Sequence, residues 1–337
     1  MYILNLRRIL VIILLSIVFL VSVKSQSEYS EIYNYVDSID IKSNNVSVVA
    51  SYFANKFRKE DERVAAIYYW VANNISYDCK EYHNNKTKVF RGRTEEIINN
   101  RIEKWDEKSV RRTIKKQVGI CEDYANLFNA ICQASGIKSR KINGFAKTNY
   151  IQVGRSKFRT NHSWNIVTVD SKDYLIDVTW GSGFTDQKVT KFTRSYNDFY
   201  LFTEPEIFIN THYPLNMEDQ LLQKPISAIE FGNLPLTTSS CSLEQSKLLP
   251  KNNELQVDEL NNEIIISIVL DGNELSNTFR VGDRLGLIDS KNVYVDGNLV
   301  IRIKEDAIKG KELKIFVSND KNLKYTQIAS YNINHIN

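Results

Sequence analysis

The hydrophobic period of this chain changes from helical to strand-like near residue 140, and this change constrains the fold most. Apolar residues of Cys121–Ala134 recur at the spacing of a core-facing helix, and Gly136 lies just past its predicted end. From about 140 to 180 the period becomes two, and Asp170–Ser171 separates two alternating runs as a turn would. A helix followed by an antiparallel hairpin predicts an α+β domain.

Flanking segments extend this prediction in both directions. Residues 63–71 carry the stripe of another core-facing helix that ends near Asn73–Asn74, whereas residues 80–118 are charged and weakly patterned, which favours short helices with loops. Beyond residue 254, short apolar runs with turns at Asp271–Gly272 and Asp296–Gly297 predict an all-β sandwich-like domain. We expect its strands near residues 263–270, 293–295, 299–303 and 313–317.

The N-terminus has the layout of a secretory signal. Arg7 and Arg8 precede an apolar run over residues 9–23, and Val23-Lys24-Ser25 offers a cleavage site. The expected location is therefore secreted, periplasmic or in the cell envelope. An uncleaved anchor is the alternative, because about 15 apolar residues are near the short limit for spanning a bilayer.

The charge of the chain gives no reason to expect a nucleic-acid partner. With 44 Lys and Arg against 40 Asp and Glu, the formal charge is +4, and loss of Arg7, Arg8 and Lys24 on cleavage would leave +1. A near-neutral protein has no electrostatic drive toward nucleic acid or acidic lipid.

The chain has four cysteines, Cys79, Cys121, Cys132 and Cys241. An even count in an exported protein is compatible with two disulfides. Cys121 and Cys132 would lie about three turns apart on one helix, too far to bridge, so a Cys79–Cys241 bridge is the pairing left open. Without a C-x-x-C pair a zinc ribbon is excluded, and we predict no metal site and no cofactor.

Three motifs carry candidate chemistry: Gly119–Ala125, which contains Cys121; Asn161–Asn165, which contains His162; and Leu175–Trp180, which contains Asp177. Free amide groups at a helix start favour a thiolate over a thiol, and a thiol nucleophile needs a base and an orienting group. The alternative for Cys121 is a small buried apolar residue, a role for which Cys132 is the better candidate.

The length of the hairpin turn decides whether the second and third motifs meet. A tight Asp170–Ser171 turn places Asp177 opposite Trp164 and diagonal to His162, within reach across two strands. A four-residue turn keeps both residues on one face but further apart, and a three-residue turn separates them unless a bulge intervenes. A surface histidine beside a solvent-facing Asp177 is the alternative.

Together these motifs resemble the transglutaminase-like superfamily of papain-fold cysteine enzymes, over roughly residues 50–235, and its kyphoscoliosis-peptidase-like branch. The resemblance implies a papain-like core in which a helix with the cysteine packs on an antiparallel sheet carrying the histidine and aspartate. It implies a triad of Cys121 as nucleophile, His162 as general base and then acid, and Asp177 as the residue that orients His162.

The same resemblance suggests supporting roles. The backbone N–H of Cys121 would help to bind the oxyanion, with Gln117 as a candidate second donor. Trp164 and Trp180 would shield the triad or line a substrate pocket; packing in the core is the alternative for both. Ser163 stands where alanine is commoner, and a glycan on the Asn161-His162-Ser163 sequon would sit on the triad, which favours a bacterial exported protein.

The predicted domains are a signal peptide at 1–25, a transglutaminase-like domain with an extension at 26–237, a linker at 238–253 and a β-sandwich-like accessory domain at 254–337. The predicted function is an exported cysteine-dependent acyl-transfer enzyme acting on protein or peptide amides through a thioester, as a peptidase or amidase because water is the default acceptor. Alternatives are transglutaminase cross-linking, a non-catalytic envelope or cell-surface interaction protein, and a glycan-binding module governed by the β domain.

Overall fold

The computed structural model describes residues 29–41, 43–84, 89–238, 248–249, 255–269, 278–318 and 325–333. The predicted signal at 1–25, the turn at Asp271–Gly272 and Cys241 lie outside these ranges. Within them, no helix is both long and apolar enough to cross a membrane.

A layer of helices opens the described chain. The helices are α1 (Ser30–Ser38), α2 (Val46–Lys56) and α3 (Glu60–Asn74). The predicted helix over residues 63–71 is confirmed within α3, which buries most of its second half. Three acidic residues in the first turn of α3 complement the positive end of its dipole.

The charged segment at residues 80–118 was predicted as short helices with loops, and this prediction is wrong. After α4 (Cys79–Asn84), one long helix, α5, spans Glu95–Lys116. Thr94 caps α5 through a 3.3 Å bond from the amide of Ile97, and two lysines end it. The fully buried residues of α5 lie near its C-terminus, and its inward face continues toward the N-terminus only through the half-buried Ile98, Ile102 and Trp105, which are surrounded by charged residues; the fully buried ones are Ser109, Val110, Thr113 and Ile114.

Two short parallel strands lead into the two helices that begin with cysteine. β1 (Ser76–Tyr77) pairs with β2 (Val118–Gly119), so that Tyr77 lies opposite Gly119. A single residue separates each strand from the following helix: α4 begins at Cys79, and α6 (Cys121–Ala134) begins at Cys121. Gly136, with φ of +86°, follows α6 as predicted.

An antiparallel sheet packs against α6. Its strand order is β5-β4-β3-β8, and the strands are β3 (Lys138–Ala146), β4 (His162–Val169), β5 (Lys172–Ile176) and β8 (His212–Pro214). The predicted tight turn is confirmed, because Asp170 and Ser171 have φ of +48° and +66° and Val169 pairs with Lys172. One detail is corrected: β5 ends at Ile176, and Asp177 starts a short helix instead of lying within the strand.

Smaller elements follow this hairpin and close the domain. They are α7 (Val178–Ser182), β6 (Gly183–Thr185), β7 (Phe192–Arg194), α8 (Pro205–Phe208), α9 (Ala228–Asn233) and β9 (Leu236–Thr237). The main core joins α3, α6 and the sheet, where Ile67, Phe128 and Ile166 are each at most 1% exposed.

The C-terminal region is a sandwich of two five-stranded sheets around one apolar core. One sheet contains β10 (Leu248–Leu249), β11 (Gln256–Asp258), β12 (Glu263–Val269), β15 (Lys291–Val295) and β16 (Asn298–Lys304). The other contains β9, β13 (Thr278–Gly282), β14 (Leu287–Ile288), β17 (Glu312–Ser318) and β18 (Thr326–Asn332). The structure is therefore mixed α+β with a strand-rich C-terminal region, as predicted. The exact domain boundaries stay a prediction.

Candidate active site

Cys121 lies at the first position of α6 and is partly exposed. The helix start is held by a reciprocal pair of bonds: the Ile120 amide donates to Asp123 Oδ2 at 3.0 Å, and the Asp123 amide donates to the Ile120 carbonyl at 2.9 Å. The thiol therefore sits at a fixed helix N-terminus, where the dipole favours negative charge.

A buried network anchors that helix start to α5. Asp123 is 3% exposed and accepts from Ser109 Oγ at 2.5 Å and from Arg112 Nη2 at 2.6 Å and 2.7 Å. A Cβ on Gly119 would lie 2.5 Å from Asp123 Cβ, so only glycine fits there. The acidic residues after Cys121 are thus accounted for in part as structural anchors.

His162, the first residue of β4, is buried beside Asp177. Its Nε2 lies 2.7 Å from Asp177 Oδ2, and the ring is close enough to the Cys121 thiol for a hydrogen-bonding contribution to its pKa. Since Nε2 faces the carboxylate, Nδ1 is the nitrogen left for sulfur. Burial alone would lower the pKa of His162, but the charge and hydrogen bond of Asp177, with the bond to Cys121, outweigh it and raise that pKa to about 10.

Asp177 accepts four N–H groups and is fully buried. As the N-cap of α7, its Oδ1 accepts from the amides of Thr179 at 2.9 Å and Trp180 at 3.1 Å, while Oδ2 accepts from two imidazoles. Burial raises the pKa of this carboxyl, but His162 and then a second histidine outweigh burial and hold it well below its usual range. A carboxylate whose two oxygens accept four hydrogen bonds is ionised and fixed in orientation.

The second histidine, His212, was not predicted from the sequence. Its Nε2 lies 3.1 Å from Asp177 Oδ2, and its Nδ1 lies 2.8 Å from Thr211 Oγ1. Burial is the largest cause that lowers its pKa, to about 4, against the opposing hydrogen bonds of Asp177 and the Phe208 carbonyl. The signals available in the sequence were only that the chain has four histidines and that His212 starts a short apolar run.

His162, Asp177 and His212 are residue types that bind metals, and their ligand atoms lie within 4.8 Å of one another. The two nitrogen–oxygen distances are those of direct hydrogen bonds, which occupy the atoms a metal would use. The geometry therefore fits a hydrogen-bonded cluster.

The two tryptophans that were predicted to shield the triad pack against His162 and His212. Trp164 is 1% exposed, and its ring centroid lies 6.1 Å from that of His162 and 5.2 Å from that of His212. Trp180 is half-buried, with its centroid 5.5 Å from His162 and 4.5 Å from His212. Trp164 thus packs within the core, whereas Trp180 covers the site and retains some exposure to solvent.

Gln117, the predicted second oxyanion donor, is exposed at the C-terminal end of α5 with φ of +54°. It lines a cleft of about 410 Å³ together with α1 and residues of α3 such as Asn73 and Asn74. This position lends no support to the oxyanion role, which stays a prediction.

Tyr77 is a further residue near the thiol that sequence reasoning missed. Burial and then the neighbouring Cys121 raise the pKa of Tyr77, so its hydroxyl stays protonated. Because Tyr77 lies opposite Gly119, its ring faces a position without a side chain just before Cys121.

The other described cysteines differ from Cys121. Cys132 is fully buried, and burial raises its pKa, in agreement with its predicted role as a small apolar residue. Cys79 is a free thiol, partly exposed, and burial followed by Asp186 and Asp78 raises its pKa. The bridge to Cys241 that the sequence left open involves a partner outside the described residues.

Comparison with known proteins agrees with these motifs. Residues 48–176 match the model of the Transglutaminase-like superfamily. The chain is 34% identical over 173 residues to the Kyphoscoliosis peptidase of Mus musculus, covering 51% of this chain and 23% of that protein. It is 30% identical over 217 residues to the Kyphoscoliosis peptidase of Homo sapiens, covering 63% of this chain and 30% of that protein.

Among solved structures, the chain is similar to a TGase at 19% identity and a TM-score of 0.27, over 56% of this chain and 42% of that one. The present chain spans only about a quarter to a third of the length of the two Kyphoscoliosis peptidases.

The fold and the sequence match define a transglutaminase-like domain. That domain, residues 48–176, matches the Transglutaminase-like superfamily over less than half of the chain. Its relatives place it in the kyphoscoliosis-peptidase-like branch, so the resemblance seen in the sequence is confirmed. This membership supports an enzymatic role in general.

Proposed function

We propose that this protein is a cysteine-dependent acyl-transfer enzyme that hydrolyses amide bonds of proteins or peptides. The observation that carries the proposal is the buried 2.7 Å contact between His162 and Asp177, with His162 close to the thiol of Cys121 at a helix start. These are the parts that an activated thiol requires: nucleophile, base and orienting group.

In the proposed reaction His162 already holds the proton of Cys121 at Nδ1, because its pKa is raised to about 10, and the thiolate attacks the amide carbonyl carbon while the π pair moves to oxygen. Collapse breaks the C–N bond, and the imidazolium protonates the leaving amine, which gives a thioester. Water then gives a proton to His162 and attacks the thioester, and cleavage of the C–S bond releases the acid and restores the thiol. Asp177 stays ionised throughout and stabilises the imidazolium.

The developing oxyanion would be stabilised by the backbone N–H of Cys121 and by the hydroxyl of Tyr77. Tyr77 is chosen as this donor because it is close enough to Cys121 for the thiol to contribute to its pKa. Tyr77→Phe should then slow turnover with little change in substrate affinity. Tyr82→Phe is the matched control, because Tyr82 is a ring neighbour of Tyr77 that is 46% exposed.

Hydrolysis is proposed over cross-linking because water is the default acceptor of a thioester. Both relatives are named as peptidases, which supports this choice. The same proposal includes export through residues 1–25 and action in the cell envelope or outside the cell. This part of the proposal rests on the signal-like N-terminus.

The first test measures iodoacetamide labelling against pH, resolved by cysteine with mass spectrometry. Cys121 should label well below about pH 8.5, where an ordinary thiol ionises, and His162→Ala should abolish this. Cys79 is an internal control, because it also starts a helix but faces Asp78 and Asp186 instead of a histidine. If Cys121 and Cys79 give the same profile, the enzyme proposal fails and a surface interaction protein becomes the better explanation.

A second test separates the reactions. The protein is incubated with a denatured protein substrate and a labelled primary amine, and new chain termini are compared with incorporated label. Hydrolysis predicts new termini that disappear in Cys121→Ser. Incorporated label without new termini would show a transglutaminase instead.

A further inference from the structure

His212 stands outside the proposed Cys121–His162–Asp177 triad, yet it touches one of its members directly. It lies on β8, at the edge of the sheet, where it pairs with Ala146 of β3. Its ring is 1% exposed and stacks on Phe208 at 4.0 Å between centroids, with Trp180 at 4.5 Å. The side-chain hydrogen bonds of this buried ring go to Asp177 and Thr211.

The hydrogen bonds determine the tautomer of His212. Nε2 faces a carboxylate oxygen at 3.1 Å, so this nitrogen must carry a proton and donate. In the neutral ring Nδ1 is then an acceptor, and the Thr211 hydroxyl at 2.8 Å donates to it. The titratable groups that act on the pKa of His212 are Asp177 and His162, and burial keeps the ring of His212 neutral.

We propose that His212 is a positioning residue that donates its Nε2–H to Asp177 and thereby holds this carboxylate ionised and aligned for His162. The role rests on the proposed acyl-transfer function. Without His212, Oδ2 of a fully buried carboxylate would lose one of its two donors, and Asp177 could turn away from His162 or take up a proton.

Two variants separate donation from packing. His212→Gln keeps an N–H that can reach Asp177, whereas His212→Phe keeps a flat ring against Phe208 but has no donor. In His212→Phe the acid limb of Cys121 labelling should move up by about one pH unit, because an Asp177 carboxylate that has lost one hydrogen bond stabilises the His162 imidazolium, and with it the Cys121 thiolate, less well. In His212→Gln the limb should return toward the wild-type position. Circular dichroism confirms that both variants are folded.

A spectroscopic readout is independent of reactivity. In ¹⁵N-histidine-labelled wild-type protein, His212 should show an unprotonated Nδ1 and a protonated Nε2 that do not change between mildly acidic and mildly basic pH. A titrating ring or the opposite tautomer would overturn the proposal. So would a folded His212→Phe with the wild-type labelling profile, or a His212→Gln that behaves like His212→Phe.

These outcomes are distinct from failure of the proposed function. If wild-type Cys121 labels as an ordinary thiol, the enzyme proposal fails whatever the variants do. If wild-type Cys121 is activated and the variants match it, only the role of His212 falls.

Discussion

Lys147 is a fully buried lysine without a carboxylate partner among the described residues. Its Nζ donates to the carbonyls of Phe231 at 3.0 Å and Leu234 at 2.8 Å and lies 4.4 Å from the Phe231 ring centroid. Burial lowers the pKa of Lys147 to about 7, from an ordinary value of 10.5. Its backbone amide donates to Thr211 at 2.7 Å, so this lysine adjoins the residues that hold His212.

The lowered pKa makes stability depend on pH with a definite sign. Between about pH 7 and 10.5 the unfolded state binds the proton and the folded state does not, so the free energy of unfolding rises with pH. The stabilisation is complete above 10.5 and is lost as pH falls through 7. Each pH unit well inside the window corresponds to about 1.4 kcal/mol, so from about pH 7.5 to 9.5 we expect a gain of about 2.5 kcal/mol.

The assay is urea unfolding followed by tryptophan fluorescence, comparing wild type with Lys147→Met at several pH values. The comparison cancels the other titrating groups, and the difference in unfolding free energy should shift toward wild type as pH rises. Lys157→Met removes an exposed charge from the same β3–β4 connection and should show no such trend. A pH-independent difference between wild type and Lys147→Met would refute the reasoning.

Three further predictions concern the site and its support. Asp177→Asn keeps the shape of the N-cap but removes the charge, so turnover should fall on the order of 10⁴-fold; near-normal turnover would contradict the triad. Gly144→Ala would place a Cβ 2.4 Å from Trp164, so unfolding in urea should show a loss of about 1–3 kcal/mol, and an unchanged midpoint would contradict this packing. Arg112→Met leaves the buried Asp123 without its cation, so thermal unfolding should occur at lower temperature at neutral pH and recover partly in acid; a loss that does not depend on pH would contradict the charge argument.

Local signals were enough for much of the fold. The change of period near residue 140 predicted a helix followed by a hairpin. Each of these elements buries one face, so apolar residues recur in the sequence at the period of that element. The Asp170–Ser171 and Asp296–Gly297 turns were predictable because Asp, Ser and Gly are residue types that turns favour and here they separate apolar, strand-like runs. The same turn set the register that brings Asp177 diagonal to His162.

Helix α5 was missed for the complementary reason. It spans Glu95–Lys116 but fully buries only four residues, and the half-buried Ile98, Ile102 and Trp105 on the same face are separated by many charged residues, so the helical period is hard to recognise. The end of β5 was placed too late because Asp177 continues an apolar run, while its side chain caps α7 through two backbone amides. Capping was a readable signal there, since aspartate is among the preferred N-cap residues.

His212 could not be assigned to the site from local sequence, because its role is created by topology. It lies 35 positions after Asp177, and the two meet only because β8 returns to pair with the far edge of β3 while Asp177 follows the strand on the opposite edge. One inference was nevertheless available: a carboxylate buried at the end of an apolar strand needs more donors than one histidine supplies. A search for those donors would have compared only the histidines other than His162, namely His83, His212 and His335. Of these, His212 alone starts a short apolar run, which is compatible with a short strand at a sheet edge beside the site.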